Sequence, residues 1–197
     1  MKLSIQHLQR SINVADEDSK EKLAKVSRSL IEQIDALTMI ANEFANFAKM
    51  PKAREEEINL LTVVQSAVSV FSEVDDHELT LVNEVGEEPI IWADKDLLLR
   101  VFNNLVKNAI QAIPVGEEGR IKVIIEEKEN TFVVTVKDNG VGIKDEQKDK
   151  LFVPYFTTKS TGTGLGLAMC KQIVENMNGE IDFDSIYGKG TSFFVEF

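Results

Sequence analysis

The sequence predicts an α+β fold: a two-layer α/β sandwich, with a mixed, mostly antiparallel sheet carrying three helices on one face, preceded by a helical hairpin. Three observations lead there. A long N-terminal stretch has seven-residue apolar spacing and no strand signal. The second part contains pairs of alternating strands joined by short polar turns. The order of elements lacks the regular strand–helix–strand alternation of a dinucleotide-binding fold.

The bulk properties set limits on function. A chain of 197 residues is long enough for one well-buried core with an appendage, or for two small domains. Hydrophobic content of 43% and charged content of 28% are ordinary for a soluble globular protein, and a net charge of -11 excludes nucleic acid as a ligand, since that needs a dense Lys/Arg face. Cys170 is the only cysteine, so neither an internal disulfide nor a cysteine zinc cluster can form, and a reducing compartment fits; the expected location is cytoplasmic. No membrane segment is expected, because no apolar run approaches the about 18 residues needed to cross a bilayer.

Taken in order, residues 1–13 place Leu3, Ile5, Leu8 and Ile12 on one face of a short amphipathic helix. Residues 14–19 form a polar break whose acids suit the start of the next helix, where they oppose its macrodipole. That second helix runs to about Ala48 and repeats every seven residues, with Leu23, Leu30, Leu37 and Phe44 in one row and Val26, Ile40 and Phe47 in the other. Gln33 interrupts the second row. A lone helix with such a seam is not stable in water, so the seam must meet the first helix, another subunit, or both. The first helix is too short to cover it, which favours an intermolecular four-helix bundle over an intramolecular hairpin. The first domain is therefore residues 1–51. Pro51 ends the helix, and Lys52 to Glu57 reads as a charged linker to a second domain, residues 57–197.

The second domain should begin with a helix at about Leu61 to Ser72, followed by strands at Glu78 to Val85 and Pro89 to Ala93. Asp94 caps a helix carrying Leu97, Leu98, Val101, Phe102, Leu105 and Ile113, which Pro114 and Gly116 terminate. Arg120 to Lys128 and Thr131 to Asp138 form a hairpin through Glu129-Asn130. A helix spans about Leu165 to Met177, and a last hairpin joins Glu180–Ser185 to Thr191–Phe197 through Gly188 and Gly190.

The chemistry concentrates between Asn104 and Gly166. Asp138 stands at a strand end before Asn139-Gly140-Val141-Gly142-Ile143; its carboxylate can accept the exocyclic amine of adenine, while the two glycines let a flat ring approach the backbone. Taken alone, the same residues also read as an ordinary Asp-Asn-Gly turn. Gly162-Thr163-Gly164-Leu165-Gly166 opens a helix whose free N–H groups and positive dipole end attract phosphate oxygens, although a flexible loop has the same composition. Asn104 and Asn108 lie four residues apart on one helix face. The Asn108 carboxamide beside the small Ala109 is a candidate Mg²⁺ ligand, because magnesium held with phosphates takes few protein oxygens. Lys107 and Gln111 are candidate phosphate or ribose contacts, or else a solvated helix face. Between the glycine clusters, Leu151 to Lys159 reads as a lid that Phe152 and Phe156 anchor and from which Lys159 can reach a terminal phosphate.

These blocks resemble the N, G1, F and G2 boxes of the ATP-binding domain of sensor histidine kinases, in the superfamily that includes gyrase, Hsp90 and MutL. The resemblance covers about residues 57–197, all boxes come in the family's order, and Gly190-Thr191-Ser192-Phe193 matches its usual ending. The helices before Pro51 are similar to the dimerisation and phosphotransfer hairpin of such kinases, particularly those of the nitrogen-regulation type. The resemblance implies ATP and Mg²⁺ as ligands, with Asn104, Lys107, Asn108, Gln111, Asp138, Gly140, Gly142, Ile143, Lys159, Gly162, Thr163, Gly164, Leu165, Gly166 and Thr191 around the nucleotide. It implies a response-regulator receiver domain as partner, a homodimeric parent that can be anchored in the inner membrane, and transfer of the γ-phosphate to a histidine and thence to an aspartate.

One departure matters. The family's His-Glu-x-x-Asn-Pro box is missing: Leu8-Gln9-Arg10 follow His7, and His77 lies in the catalytic part. The chain is expected to begin beyond that box, to contain no catalytic acceptor and to fail at self-phosphorylation, with both histidines incidental surface residues. The alternative is a hydrolytic ATPase or ATP-driven clamp of the same superfamily. Those enzymes resemble this chain but place a glutamate four residues before the magnesium asparagine, where Asn104 stands here. A non-catalytic interaction module is the third class, and the joint presence of Asp138, Asn108 and the second glycine cluster opposes it.

Overall fold

A computed structural model of the chain describes residues 17–48, 53–71, 77–129, 131–159 and 162–197. It divides into two compact units, Met1–Lys49 and Met50–Phe197.

The described part of the first unit is one helix, α1 (Glu17–Ala48). Val26, Leu30 and Leu37 of the predicted seam are exposed, Leu37 at 65%, and Gln33 is exposed as well. The helix expected over residues 1–13, His7, and the side chains of Leu23, Ile40, Phe44 and Phe47 lie outside the described residues. No helix among the described residues is long and apolar enough to cross a membrane.

The second unit starts with a strand where the sequence pattern suggests linker. β1 (Glu56–Asn59) pairs antiparallel with β3 (Ile90–Ala93), placing Glu57 opposite Trp92. Only Ile58 in β1 is buried, so four residues with three polar side chains give no periodic signal, and pairing with β3 makes the strand. Asn59 then caps α2 (Leu60–Ser69) by accepting the Thr62 N–H at 3.3 Å. The helix stops at Ser69, earlier than the apolar pattern suggests.

A five-stranded sheet follows the order β2–β4–β5–β7–β6, built from β2 (His77–Asn83), β4 (Gly119–Lys128), β5 (Thr131–Asp138), β6 (Glu180–Ile186) and β7 (Gly190–Glu196). β2 runs parallel to β4 and every other pair is antiparallel. Its buried face carries Ile121, Val123, Ile125, Val134, Val136 and Val195, all at most 1% exposed. Against it pack α2, α3 (Lys95–Ala112) and α5 (Gly166–Asn176). On the other face Lys122 and Lys137 are exposed, with β4 alternating in period two, whereas Val133 and Thr135 of the central strand β5 are buried there as well.

α3 begins where predicted. The Asp94 carboxylate accepts the N–H groups of Asp96 and Leu97 at 3.0 and 3.1 Å, and its second oxygen takes Arg54 N–H at 2.7 Å, tying the chain before β1 to the helix start. Glu129 takes φ 49° at the tip of the β4–β5 hairpin. The polar interval after the first glycine cluster contains a single-turn helix, α4 (Asp145–Lys148), that no sequence signal announces.

Candidate functional site

The site lies where the C-terminal half of α3, the end of β5 and the stretches Leu151–Lys159 and Gly162–Gly166 meet. On α3, the Asn108 amide donates to Asn104 Oδ1 at 3.2 Å, as their four-residue spacing allows. From the lid segment Lys159 reaches across: its Nζ donates to Asn108 Oδ1 at 3.0 Å and to Gln111 Oε1 at 2.8 Å. Asn104, Asn108, Gln111 and Lys159 are thus one connected cluster. Lys107, one position along α3, is exposed, and its charge is felt at Lys159: burial first, then Lys107, holds the Lys159 ammonium below its ordinary 10.5.

Asp138 closes β5 and is 5% exposed. Its Oδ1 accepts Gly140 N–H at 2.8 Å and Thr191 N–H at 3.2 Å. Both bonds fall on the same oxygen, which leaves Oδ2 to accept from a ligand. Burial pushes the Asp138 carboxyl above its usual 3.8, opposed by those two N–H groups and by the Lys159 charge. Asn139, next in sequence, is structural: it accepts Arg120 N–H at 2.7 Å and donates to Glu118 O at 2.9 Å, fixing the turn to the start of β4.

The glycines have a different reason from the one the sequence suggests. A Cβ on Gly140 would meet Ala112 O at 2.5 Å, and one on Gly142, at φ 65°, would meet Ile186 O at 2.2 Å. Protein backbone fills both spaces. The loop is stitched by Val141 N–H to Ala112 O at 2.9 Å and Gly188 N–H to Val141 O at 2.8 Å, while Ile143 N–H donates to Ser185 Oγ at 2.9 Å.

In the lid segment, Phe152 is an anchor as expected. Its ring meets Phe183 edge-on at 5.9 Å, and the Lys171 ammonium lies 5.3 Å from its centroid. Tyr155, by contrast, is 56% exposed at φ 66°, and it closes a turn by donating its N–H to Gly164 O at 2.9 Å. Gly162 N–H donates to Lys159 O at 3.2 Å, and Leu165 N–H to Thr163 Oγ1 at 3.5 Å. Helix α5 then starts with no side-chain cap on its first N–H groups, which suits anionic oxygens. Leu165, a predicted contact, is instead fully buried, with its N–H on Thr163 Oγ1 and its carbonyl accepting Met169 N–H at 2.9 Å, so it packs the helix start. Gly166 abuts the Asn104 amide; a Cβ there would meet Asn104 Nδ2 at 2.5 Å. This contact joins the α5 start to the α3 cluster.

No group of three or more His, Cys, Asp or Glu side chains that could hold a metal exists among the described residues. What the site offers a cation is two neutral carboxamide oxygens, Asn108 Oδ1 and Gln111 Oε1, already gathered about the ammonium of Lys159. Such a set fits an ion that takes its remaining ligands from phosphate and water.

Two side chains depart from expectation. His77 is not an incidental surface residue: the parallel register sets it beside Gly119, where its Nδ1 is buried without a hydrogen-bond partner and 2.4 Å from where a Gly119 Cβ would stand. Ser185 carries no sequence signal, although it is 3% exposed and bonded to the Gly142-Ile143 loop. Register alone reveals it, because Ser185 lies opposite Thr191. Cys170 is also buried and its thiol is pushed up to about 12, so it is a packing residue and no nucleophile.

Residues 93–197 match the family model described as histidine kinase-, DNA gyrase B-, and HSP90-like ATPase. The chain is 35% identical over 171 residues to the sensor histidine kinase ZraS of Escherichia coli (strain K12), a match that covers 86% of this chain and 36% of that protein. The chain therefore spans well under half of that relative's length. Among solved structures, the nucleotide-free catalytic domain of histidine kinase ThkA is similar with a TM-score of 0.64 and 33% identity, over 73% of this chain and 94% of that one. ThkA in complex with the response regulator protein TrrA is similar with a TM-score of 0.69 and 25% identity, over 99% of this chain and 58% of that one.

Proposed function

The chain belongs to the histidine kinase-, DNA gyrase B-, and HSP90-like ATPase family and carries the ATP-binding catalytic domain of a sensor histidine kinase. From that premise we propose how its residues act. Asp138 Oδ2 accepts the exocyclic amine of adenine, with Thr191 beside it and the Gly140–Ile143 loop along the base. The N–H groups at the start of α5, preceded by Gly162 to Leu165, and the ammonium groups of Lys159 and Lys107 receive the phosphates. Asn108 Oδ1 supplies the protein's oxygen to Mg²⁺, with Asn104 orienting the Asn108 amide and Gln111 beside it. Held at Asn108, Mg²⁺ would supply positive charge to offset that of the phosphates. The domain then presents the γ-phosphate in line to a histidine, from which a response-regulator receiver domain takes it onto an aspartate.

The observation that carries this reading is the Lys159 ammonium held between the Asn108 and Gln111 oxygens, a cation site of neutral donors at the head of an uncapped helix. The alternative of a hydrolytic ATPase or clamp requires a base to activate water. The position four residues before the magnesium amide holds Asn104, a carboxamide already engaged with Asn108 and no base, so hydrolysis is slow. Neither His7 nor His77 serves as acceptor. Residues 1–51, with the exposed α1 seam, are the dimerisation segment of a homodimer, and residues 57–197 form the catalytic domain facing the cytoplasm.

Calorimetry on this chain tests the proposal. ATP binds in the presence of Mg²⁺, more weakly after chelation, and incubation leaves no phosphohistidine. Labelling of His7 or His77, rapid steady turnover of ATP, or absence of binding would each overturn it.

A further inference from the structure

The wall of the site beside Asp138 contains a hydroxyl relay. Ile121, Asp138, Thr191 and Ser185 lie in one row across β4, β5, β7 and β6, since Ile121 is opposite Asp138, Ser185 is opposite Thr191, and Thr191 N–H bonds the Asp138 carboxylate. Asp138, Thr191 and Ser185 are 5%, 4% and 3% exposed. Ser185 Oγ makes three contacts: Ile143 N–H at 2.9 Å, Gly190 O at 3.1 Å and Thr191 Oγ1 at 2.9 Å.

Only one proton assignment makes all three Ser185 contacts hydrogen bonds. An N–H can only donate, so Ile143 occupies one lone pair of Ser185. A carbonyl can only accept, so the single Ser185 proton goes to Gly190 O. The remaining Ser185 lone pair can then only receive the proton of Thr191. With its proton drawn toward Ser185, the Thr191 oxygen is an acceptor on every other side.

We propose that Ser185 is a positioning residue for base recognition: by accepting the Thr191 proton it makes the Thr191 hydroxyl an obligate acceptor, so that Thr191 and Asp138 form a paired acceptor for a purine 6-amino group. An exocyclic amine carries two hydrogens, and the row offers two acceptors, Asp138 Oδ2 and Thr191 Oγ1, reached directly or through one water. A 6-oxo purine, or a purine with nothing at position 6, leaves both unpaired. The same Ser185 oxygen holds Ile143 N–H, so the order of the hydroxyls and the position of the loop are set together. This inference rests on the proposed ATP reading and adds the device by which the base is chosen.

The test compares ATP with purine riboside triphosphate, which lacks the 6-amine, by displacement of a fluorescent ATP analogue from the full chain. Ser185→Ala frees the Thr191 hydroxyl to rotate, and the preference for ATP over the amine-less analogue shrinks about three- to tenfold, the worth of one neutral hydrogen bond. Thr191→Val shrinks it by a similar factor and Thr191→Ser leaves it intact. Adding Ser185→Ala to Thr191→Val changes the preference no further, because the serine acts through the threonine. Should Ser185→Ala not fold, Ser185→Cys, a weaker donor and acceptor, reads the same ratio with a smaller shift. Equal loss of both nucleotides in the Ser185 variants, with the ratio unchanged, makes the serine merely structural and overturns the inference. So does a further drop in the double variant. Wild-type chain that binds neither nucleotide sinks the ATP reading, and this inference with it.

Discussion

Replacing Asp138 by Asn separates what this carboxylate does for the fold from what it does for a ligand. Both backbone bonds end on Oδ1, from Gly140 N–H at 2.8 Å and Thr191 N–H at 3.2 Å, and an Asn oxygen can accept both. Those two donors also fix the amide's orientation, since turning Nδ2 toward them would oppose donor to donor. Nδ2 therefore replaces Oδ2 and faces the base, where an adenine amine brings another donor. The loss is a hydrogen bond to a charged acceptor, about 1.5–3 kcal/mol, which is about 10- to 150-fold in ATP affinity.

Stability moves the other way. Burial raises the Asp138 carboxyl above 3.8, so in the folded chain its ionisation is disfavoured. A group with a raised folded pKa stabilises fully below its unfolded value and loses that contribution as pH rises through the folded value. Wild type loses that contribution as pH rises, whereas the Asp138→Asn variant has no charge to bury at neutral pH. The variant therefore melts no lower than wild type there, and any gain over wild type vanishes in acid. Calorimetric titration with ATP and thermal melts at neutral and acid pH check both halves. ATP affinity within twofold of wild type would refute the adenine assignment, and a melting point well below wild type at neutral pH would refute the argument that the oxygen pattern is preserved.

Two other perturbations probe the phosphate end and the loop. Lys159→Met removes the ammonium that joins the lid segment to Asn108 and Gln111, and ATP affinity falls. Because burial and Lys107 hold this ammonium below 10.5, wild-type affinity declines with rising pH before an ordinary lysine titrates, whereas the Met variant stays flat; a flat wild-type profile contradicts this. Gly142→Ala places a Cβ 2.2 Å from Ile186 O at φ 65°, while Gly188→Ala, at φ 80°, meets nothing within 4 Å. Left-handed strain alone costs about 1–2 kcal/mol, so Gly188→Ala lowers the melting midpoint by about 2–8 °C. Gly142→Ala lowers it further through the clash, and equal shifts would show that the loop gives way freely.

The elements that are legible in the sequence share a local cause. Helix α3 can be read because Asp94 caps it, its apolar residues recur on one face and Pro114 follows its end. The β4–β5 and β6–β7 hairpins can be read because alternation and turn residues are contiguous in sequence. What escapes depends on distant partners: β1 is a strand only through β3, and His77 is wedged against Gly119 only through the parallel register of β2 on β4. At the site, residue types announce Asn104, Asn108, Gln111, Asp138 and Lys159, and the structure brings the four apart from Asp138 into one bonded cluster. Gly140 and Gly142 suggest access for a ligand, yet Ala112 and Ile186 carbonyls fill the space a side chain would take. Ser185 carries no motif of its own, because a serine in a strand gains meaning only once register sets it opposite Thr191.

The choice of neutral oxygens around Lys159 follows from the charge of the proposed ligand. The chain carries a net charge of -11, so a polyphosphate approaching it is repelled unless cations are concentrated locally. Carboxylates at positions 108 and 111 would hold the lysine firmly when the site is empty, through charge-assisted bonds, and would oppose the phosphates when it is full. Carboxamides avoid both costs. They satisfy the ammonium with oxygens that phosphate can replace, and they leave its charge uncancelled. The base end is built the opposite way, with a buried carboxylate and backbone bonds from Ala112 through Val141 to Gly188. A base is neutral and gains from one fixed charged acceptor, whereas a phosphate group gains from positive charge that can be handed over from neutral partners.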